Sequence, residues 1–495
     1  MGIRNKDKGG EKGREKGKEN PNRKADQNIL ILTYFFVGLF IALVLYFAVF
    51  LTVKKDDVIN NAYNARLDSF SDRIVRGKIF GSGYEVIART NVSEDGSEQR
   101  EYPYGTLFSH VAGYTGKGKT GLEALGNFYM LSSHVNLLEQ VYHELTGQKN
   151  TGDDIVTTLN VEMQQAAYDA LGDRRGAVIA MEPDTGKILA MVSKPDFNPN
   201  TIAADWEDIV AETNTSGQLL NRATQGLYPP GSTFKILTAL EYMRENPDTY
   251  EAFQYDCGGL LQEAEYTIQC YHKEAHGQVD FTGSFANSCN GAFAKMGLSL
   301  DAGKFHQLAD ALLFNTALPI SLPYNKSTFS MNTGADTWEV LQTSIGQGMT
   351  QITPIHNLMI TAAIANGGTL MKPYLIDRVE TAAGQQVKKF MPSAYGSLMS
   401  AQEAEKMAEL MRHVVTEGTG SALRDASYTA AGKTGSAEFE TGKETHAWFT
   451  GFAPAESPKI AVCVIVEEGG NGGKAAAPVA RKVMDVYFSQ QESEE

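Results

Sequence analysis

The chain has 495 residues, with 59 acidic against 44 basic side chains, a formal net charge of −15 and 42% hydrophobic residues. That length holds two or three domains and a large core, and the acidic balance excludes a nucleic-acid footprint. Four cysteines are too few for a disulfide-scaffolded secreted protein, and the absence of a C-x-x-C pair leaves no zinc or redox signal, so no metal and no cofactor are expected.

Residues 1–28 carry nine Lys or Arg against five Asp or Glu, a net of +4 that leaves −19 for residues 29–495. Such a glycine-rich basic segment predicts a disordered tail held on the cytoplasmic side. Ile29 to Val53 is 25 residues without a charge, long enough to cross a bilayer as a helix. It exceeds a signal-peptide core and runs into Lys54-Lys55-Asp56-Asp57 without a small-residue cleavage pattern. The reading is a retained single-pass anchor at 29–53 in a cell membrane, with everything beyond residue 55 outside.

Residues 54–152 mix strand and loop character, with Tyr102-Pro103-Tyr104-Gly105 among several glycines, and predict a short membrane-proximal stalk. The main domain is expected at 153–490, with 491–495 as a tail. Ala177–Met181 and Ile188–Val192 flank Pro183-Asp184-Thr185-Gly186, the pattern of a β-hairpin. The segment from Ser232 to Asn246 predicts a helix that stops at Asn246-Pro247, with apolar residues around most of its circumference. Lys459–Glu467 is apolar almost without alternation, as in a strand covered on both faces. Val479, Val483, Val486 and Tyr487 give the C-terminal segment one buried helical stripe. Strands bracketing a helical middle imply an α/β (α+β) fold, a sheet with helices on both faces.

Three short motifs carry the chemistry: Ser232-Thr233-Phe234-Lys235, Ser288-Cys289-Asn290 and Lys433-Thr434-Gly435-Ser436. S-x-x-K sets a hydroxyl and an amine on one face of a helix, where the amine can take the hydroxyl proton. Gly226-Leu227-Tyr228-Pro229-Pro230-Gly231 cannot be helical through its prolines, so Ser232 stands at or near the helix start. A buried lysine in that first turn, near the positive end of the helix dipole, has a lowered pKa and becomes a base at neutral pH. Small residues around Lys433-Thr434-Gly435 predict a strand that something approaches closely. Its edge can pair with an extended peptide, Gly435 removing an obstructing side chain and Lys433 offering charge to a carboxylate. Taken singly, each motif has a plain structural reading: Ser232 as a helix cap with Lys235 reaching solvent, or K-T-G as a turn. Glu438 and Glu440 read as surface charges of the same strand.

In this order S-x-x-K, a serine–asparagine triplet and K-T-G match the penicillin-binding protein signature, and the chain resembles a class B penicillin-binding protein over roughly residues 154–490. Gly176 to Asn200 resembles the hairpin that opens that family's transpeptidase domain. Gln342 to Gly348, Thr353-Pro354, Ala365-Asn366-Gly367-Gly368 and Trp448 to Pro454 resemble its later stretches. Ser436 stands where the family usually has threonine, keeping the hydroxyl and losing a methyl contact. Arg76-Gly77-Lys78-Ile79 fits the family's opening, while Gly81-Ser82 replaces its usual acidic and arginine pair. The chain is expected to be a compact member, without a long stalk or C-terminal appended modules.

The resemblance implies a penicillin-binding transpeptidase fold with an antiparallel sheet. Ser232 would be the acylated nucleophile and Lys235 its base; Ser288 would relay a proton to the leaving amine; Asn290 would hold substrate backbone and orient Lys235. Lys433 would sustain the electrostatics and, with Thr434 and Ser436, grip a terminal carboxylate. The backbone N–H groups of Ser232 and Ser436 would form the oxyanion hole. The implied activity is D,D-transpeptidation of peptidoglycan stem peptides, donated by lipid-linked precursor and nascent glycan, with β-lactams as acylating ligands and a SEDS-family glycan polymerase as partner. A D,D-carboxypeptidase or β-lactamase would use the same serine, although the E-x-x-L-N segment of class A β-lactamases is absent between Asn290 and Lys433. A weakly active penicillin-binding scaffold is the other alternative. Cys257 and Cys270, 13 apart, are a candidate disulfide in an oxidising exterior, while Cys289 and Cys463 read as small packing residues. His276 reads as a turn histidine with a structural hydrogen bond and no second ligand nearby.

Overall fold

The computed structural model describes residues 21–51 and 73–494. The expected basic tail up to residue 20 and the segment 52–72, where the expected stalk begins, lie outside the described residues. Pro21–Val49 is one helix. Within it Gln27–Val49 has a mean hydropathy of 2.6 and no buried residue, so it is long and apolar enough to cross a membrane. Thr33 turns its hydroxyl back onto the Ile29 carbonyl at 2.8 Å, the local bond that satisfies a polar group on such a helix.

In the rest of the chain a six-stranded sheet runs in the order Gln386–Lys389, Ile376–Glu380, Asp154–Thr157, Ile79–Phe80, Val86–Val92, Glu98–Glu101. It joins strands from either side of position 153 and borrows two from beyond residue 375. Beside it Glu123, fully buried, accepts Arg76 Nε at 2.7 Å and Arg100 Nε at 2.8 Å. The paired guanidiniums hold this carboxylate charged despite burial. Gly77 is required here, because a Cβ would stand 2.0 Å from the Asp153 carbonyl oxygen.

The second sheet is antiparallel and five-stranded, ordered Ala431–Ala437, His446–Ala453, Ile460–Val466, Gly176–Met181, Ile188–Lys194. The predicted hairpin is present, with Gly176 opposite Lys194 and Met181 opposite Ile188. Along Ile460–Val466 the side chains of Ala461, Cys463 and Ile465 enter one core and those of Val462, Val464 and Val466 the other. That is why the strand reads apolar without alternation. Helices Val161–Leu171 and Ala477–Glu494 cover one face, and Val479 and Val483 form the buried stripe expected of the latter. On the other face lies Pro354–Ala365, capped by Thr353 with Pro354 at its first position and buried almost throughout. The strand Ala431–Ala437 is left at the edge of this sheet, with the serine motif packed against it.

Candidate active site

The turn ahead of Ser232 is anchored from below. Buried Arg222 donates to Glu467 Oε1 at 2.7 Å, and the Tyr228 hydroxyl donates to the same oxygen at 2.7 Å. Trp448 Nε1 donates to the Pro229 carbonyl at 3.0 Å, fixing the two prolines to the neighbouring strand. Gly231 (φ +52°) sends its N–H to the Gly346 carbonyl at 2.8 Å, and Gly346 (φ +77°) lies so close that a Cβ there would stand 1.9 Å from the Gly231 oxygen. Two left-handed glycines in contact therefore set the direction in which the chain enters Ser232.

From Gly231 to Phe234 the chain is 3-10 rather than α, and the α-helix proper runs Lys235–Glu245. The predicted helix is there, but its first turn is tighter. In a 3-10 turn side chains three apart eclipse one another, which aligns Ser232 with Lys235 more closely than an α-turn would. Ser232 is half-buried and Lys235 fully buried.

Ser288 joins helices Phe281–Ala286 and Asn290–Gly297 in a left-handed conformation (φ +57°), a strained state for a serine. That geometry turns the carbonyl and side chain of Ser288 toward one amine. Lys235 Nζ donates to the Ser288 carbonyl at 2.6 Å, to Asn290 Oδ1 at 2.6 Å and to Ser288 Oγ at 3.2 Å. Lys433 Nζ reaches the same Oγ from the other side at 2.9 Å. One hydroxyl thus bridges two buried amines, each lying over an aromatic ring: Phe293 at 5.3 Å from Lys235 Nζ, Phe285 at 5.6 Å from Lys433 Nζ. Burial draws Lys235 down to about 8, against an opposing pull from the Cys289 and Cys270 sulfurs. It draws Lys433 well below the ordinary lysine range, helped by the Lys235 charge.

Two expectations change in detail. Lys433 is fully buried and donates to Ser288 Oγ and to the Thr434 carbonyl, so its amine faces inward instead of offering itself to a substrate carboxylate. A Cβ on Gly435 would meet Trp448 Cβ at 3.1 Å and the Pro230 carbonyl at 3.2 Å, a tight fit that glycine relieves. It lets the serine turn sit against the strand, so it clears room for the protein's own backbone. Asn290 is held at both ends of its amide, as expected of a residue that orients Lys235: Oδ1 accepts from Lys235 and one of the two Nδ2 hydrogens is donated to the Gln269 carbonyl at 2.8 Å. Thr434 Oγ1 pairs with Thr419 Oγ1 at 2.5 Å, a partner that nothing in the sequence signals. Ser436 Oγ accepts the Gly472 N–H at 3.3 Å, and Glu438 and Glu440 are exposed.

The expectations for the cysteines and His276 also need correction. Cys257 and Cys270 are in contact as free thiols, Sγ to Sγ 3.7 Å. Cys289 is not a lone packing residue, since its Sγ lies 3.9 Å from that of Cys270 and accepts the Ala292 N–H at the start of its helix. His276 Nδ1 is 3.3 Å from Cys257 Sγ, so it has the neighbour its sequence context hides. Spacings of 13, 6 and 13 fit no short metal motif, because the four residues come from two β-ribbons and a helix cap. Cys463 does pack in the core.

Comparison with known proteins agrees with this architecture. The family described as the penicillin binding protein transpeptidase domain matches residues 176–485, and the penicillin binding protein A dimerisation domain matches residues 76–155. A relative from Mycolicibacterium smegmatis, peptidoglycan D,D-transpeptidase PbpA, is 33% identical over 446 residues, 84% of this chain and 89% of its own. Among solved structures, the D,D-transpeptidase domain of a peptidoglycan glycosyltransferase from Eggerthella lenta is 32% identical with a TM-score of 0.76, covering 85% of this chain and 99% of that one. The imipenem acyl-enzyme of penicillin-binding protein A from M. tuberculosis is 30% identical with a TM-score of 0.77, covering 85% of this chain and 100% of that one. With more than half of its length inside the transpeptidase match and a relative aligned almost end to end, this chain belongs to the penicillin-binding protein transpeptidases of class B.

Proposed function

We propose that this protein is a membrane-anchored serine D,D-transpeptidase that cross-links peptidoglycan stem peptides through an ester at Ser232 and is acylated there by β-lactams. The observation that carries the reading is the buried Lys235 amine, three residues from Ser232 in an eclipsed turn and held at 2.6 Å by both the Ser288 carbonyl and Asn290. The names of the relatives support the reaction, and the imipenem acyl-enzyme of the M. tuberculosis protein supports the sensitivity to β-lactams.

Ser232 Oγ attacks the carbonyl of the penultimate D-alanine while its proton passes to the neutral Lys235 amine. The backbone N–H groups of Ser232 and Ser436 receive the developing oxyanion. As the C–N bond breaks, the departing D-alanine amine takes a proton through Ser288 Oγ, the hydroxyl that touches both Lys235 and Lys433. An amine of a neighbouring stem peptide then attacks the ester, loses its proton along the same path and releases Ser232. Thr434 and Ser436 on the open strand edge receive the terminal carboxylate, with Gly435 keeping that strand against the serine turn and Lys433 holding Ser288 Oγ from below.

The apolar helix anchors the enzyme beside its lipid-linked donor, which raises the effective concentration of substrate. The basic tail places the N-terminus in the cytoplasm and the catalytic domain outside. A SEDS-family glycan polymerase in the same membrane is the partner that supplies nascent glycan.

Intact-mass analysis of purified protein with penicillin tests the nucleophile. One stable adduct on the wild type and none on Ser232→Ala is the expected outcome. Rapid loss of the adduct to water would favour a hydrolase, and cross-linked product from Ser232→Ala would defeat the assignment.

A further inference from the structure

We propose that Cys257, Cys270, His276 and Cys289 bind one zinc ion in a tetrahedral site that clamps the Ser288–Asn290 loop onto Lys235. The four ligand atoms lie within 4.8 Å of one another. A zinc ion with Zn–S of about 2.3 Å and Zn–N of about 2.0 Å spaces tetrahedral neighbours about 3.8 Å apart for two sulfurs and about 3.5 Å for sulfur and nitrogen. The observed edges are 3.7 Å for Cys257–Cys270, 3.9 Å for Cys270–Cys289 and 3.3 Å for Cys257–His276. Three edges thus match the spacing such an ion needs, and the remaining edges lie within the 4.8 Å span that small side-chain rotations close. A disulfide would require about 2.05 Å between two of the sulfurs and would leave the third without a partner.

The chemistry of the donors selects the metal. Thiolates with one imidazole form the Cys3His set of structural zinc sites, and no corner is left open for water or substrate. Binding releases the thiol protons to solvent and changes no oxidation state. The three cysteines are buried and His276 is half-buried, which shields the thiolates and leaves the imidazole side as the entry path.

The surrounding fold needs such a staple. Residues 254–280 form two separate two-stranded ribbons, Gln254–Cys257 with Gly277–Asp280 and Leu260–Glu263 with Tyr266–Gln269. Apart from the cysteines, their buried apolar side chains are Ile268 and Val279. A two-stranded ribbon with so little core is marginal alone. Each ribbon brings ligands to the cluster: Cys257 and His276 lie at or beside the ends of the first, and Cys270 directly follows the second.

The fourth ligand connects the staple to the chemistry. Cys289 stands between Ser288 and Asn290, and its Sγ caps the helix that begins at Asn290. Asn290 Nδ2 donates to the carbonyl of Gln269, the residue before Cys270. Metal at this position pins both sides of the loop that holds the Lys235 amine, so the four ligands are positioning residues.

The test uses full-length protein in detergent, purified without chelator. Elemental analysis is expected to find one zinc per chain in the wild type, and Co2+ exchange to give the absorption of a tetrahedral thiolate site. Cys257→Ser and His276→Ala are expected to retain zinc at least as poorly as the roughly 10–100-fold affinity loss that outer-shell changes alone cause. Removing zinc from the wild type is expected to slow penicillin acylation at Ser232, with recovery when zinc returns. Wild type with no zinc after growth in its presence and no cobalt spectrum would overturn the site, as would an intact mass lower by two hydrogens that marks a disulfide. Unchanged acylation after zinc has left would overturn the clamp. Zinc content is read without reference to acylation, so a holoprotein that never reacts with penicillin would count against the transpeptidase reading alone.

Discussion

Lys235 meets three acceptors, and its two shortest contacts, both 2.6 Å, run to the Ser288 carbonyl and Asn290 Oδ1. An ammonium uses all three N–H groups on such a set, whereas a neutral amine satisfies the two short contacts and keeps a lone pair for a hydroxyl proton. Both states fit the pocket, and burial brings their balance to about 8. Only the neutral amine can deprotonate Ser232, so β-lactam acylation is expected to rise with pH and level off above about 8, measured by stopped-flow mixing with a chromogenic cephalosporin. A flat profile from pH 6 to 9 would exclude Lys235 as the base. Ser288→Ala removes the hydroxyl between the two amines, and loss of one positioned proton carrier costs on the order of 100-fold or more in rate. Acylation of that variant is expected to fall by about that factor with the fold unchanged by circular dichroism. The placement of Ser232 and Lys235 on one face was legible because residues three apart along a helix are neighbours in any fold. The inward aim of Lys433 was not, because nothing local to K-T-G tells which side of the strand is covered.

Among the elements, the serine turn depends on contacts between glycines far apart in the chain. Gly346→Ala would force a side chain to 1.9 Å from the Gly231 carbonyl and a left-handed alanine at once, so it is expected to lower both Tm and acylation rate. Gly442 is also left-handed (φ +86°) but has open space around its missing Cβ, so Gly442→Ala is the control. Its backbone strain alone is about 1–2 kcal/mol. Equal effects of the two substitutions, by differential scanning fluorimetry and acylation kinetics, would mean that the Gly231–Gly346 contact is unimportant. The hairpin, the doubly covered strand and the C-terminal helix followed from hydrophobic period, which is a local property. The 3-10 start of the serine helix did not, and its first residue, Gly231, is held by a hydrogen bond to a residue more than 100 positions away.

At the scale of the whole molecule, buried histidines make stability depend on pH, His110 and His356 most strongly, with buried His446 shifted in the same direction. His110 donates to the Gln218 carbonyl at 2.7 Å and His356 to that of Leu312 at 2.6 Å, and burial is the main cause that lowers both to about 4. The unfolded chain binds these protons near pH 6.5 and the folded chain only near 4, so their contribution is full above about 6.5 and is lost as pH falls toward 4. Each is worth roughly 3 kcal/mol over that window. Thermal melts are expected to show Tm dropping between pH 6.5 and 4, and His356→Gln, which keeps a donor without titrating, to flatten the fall. The sequence by itself determined the apolar helix, the main strands and helices and the three motifs, which follow from residue types and their order, while the reaction and the class of fold came through the resemblance those motifs carry. Tertiary structure alone decided that Ser288 bridges two buried amines, that Gly435 faces the protein's own backbone, and that three cysteines and a histidine converge beside the Ser288–Asn290 loop. Those outcomes depend on strand register and helix packing between distant segments, and no local period encodes them.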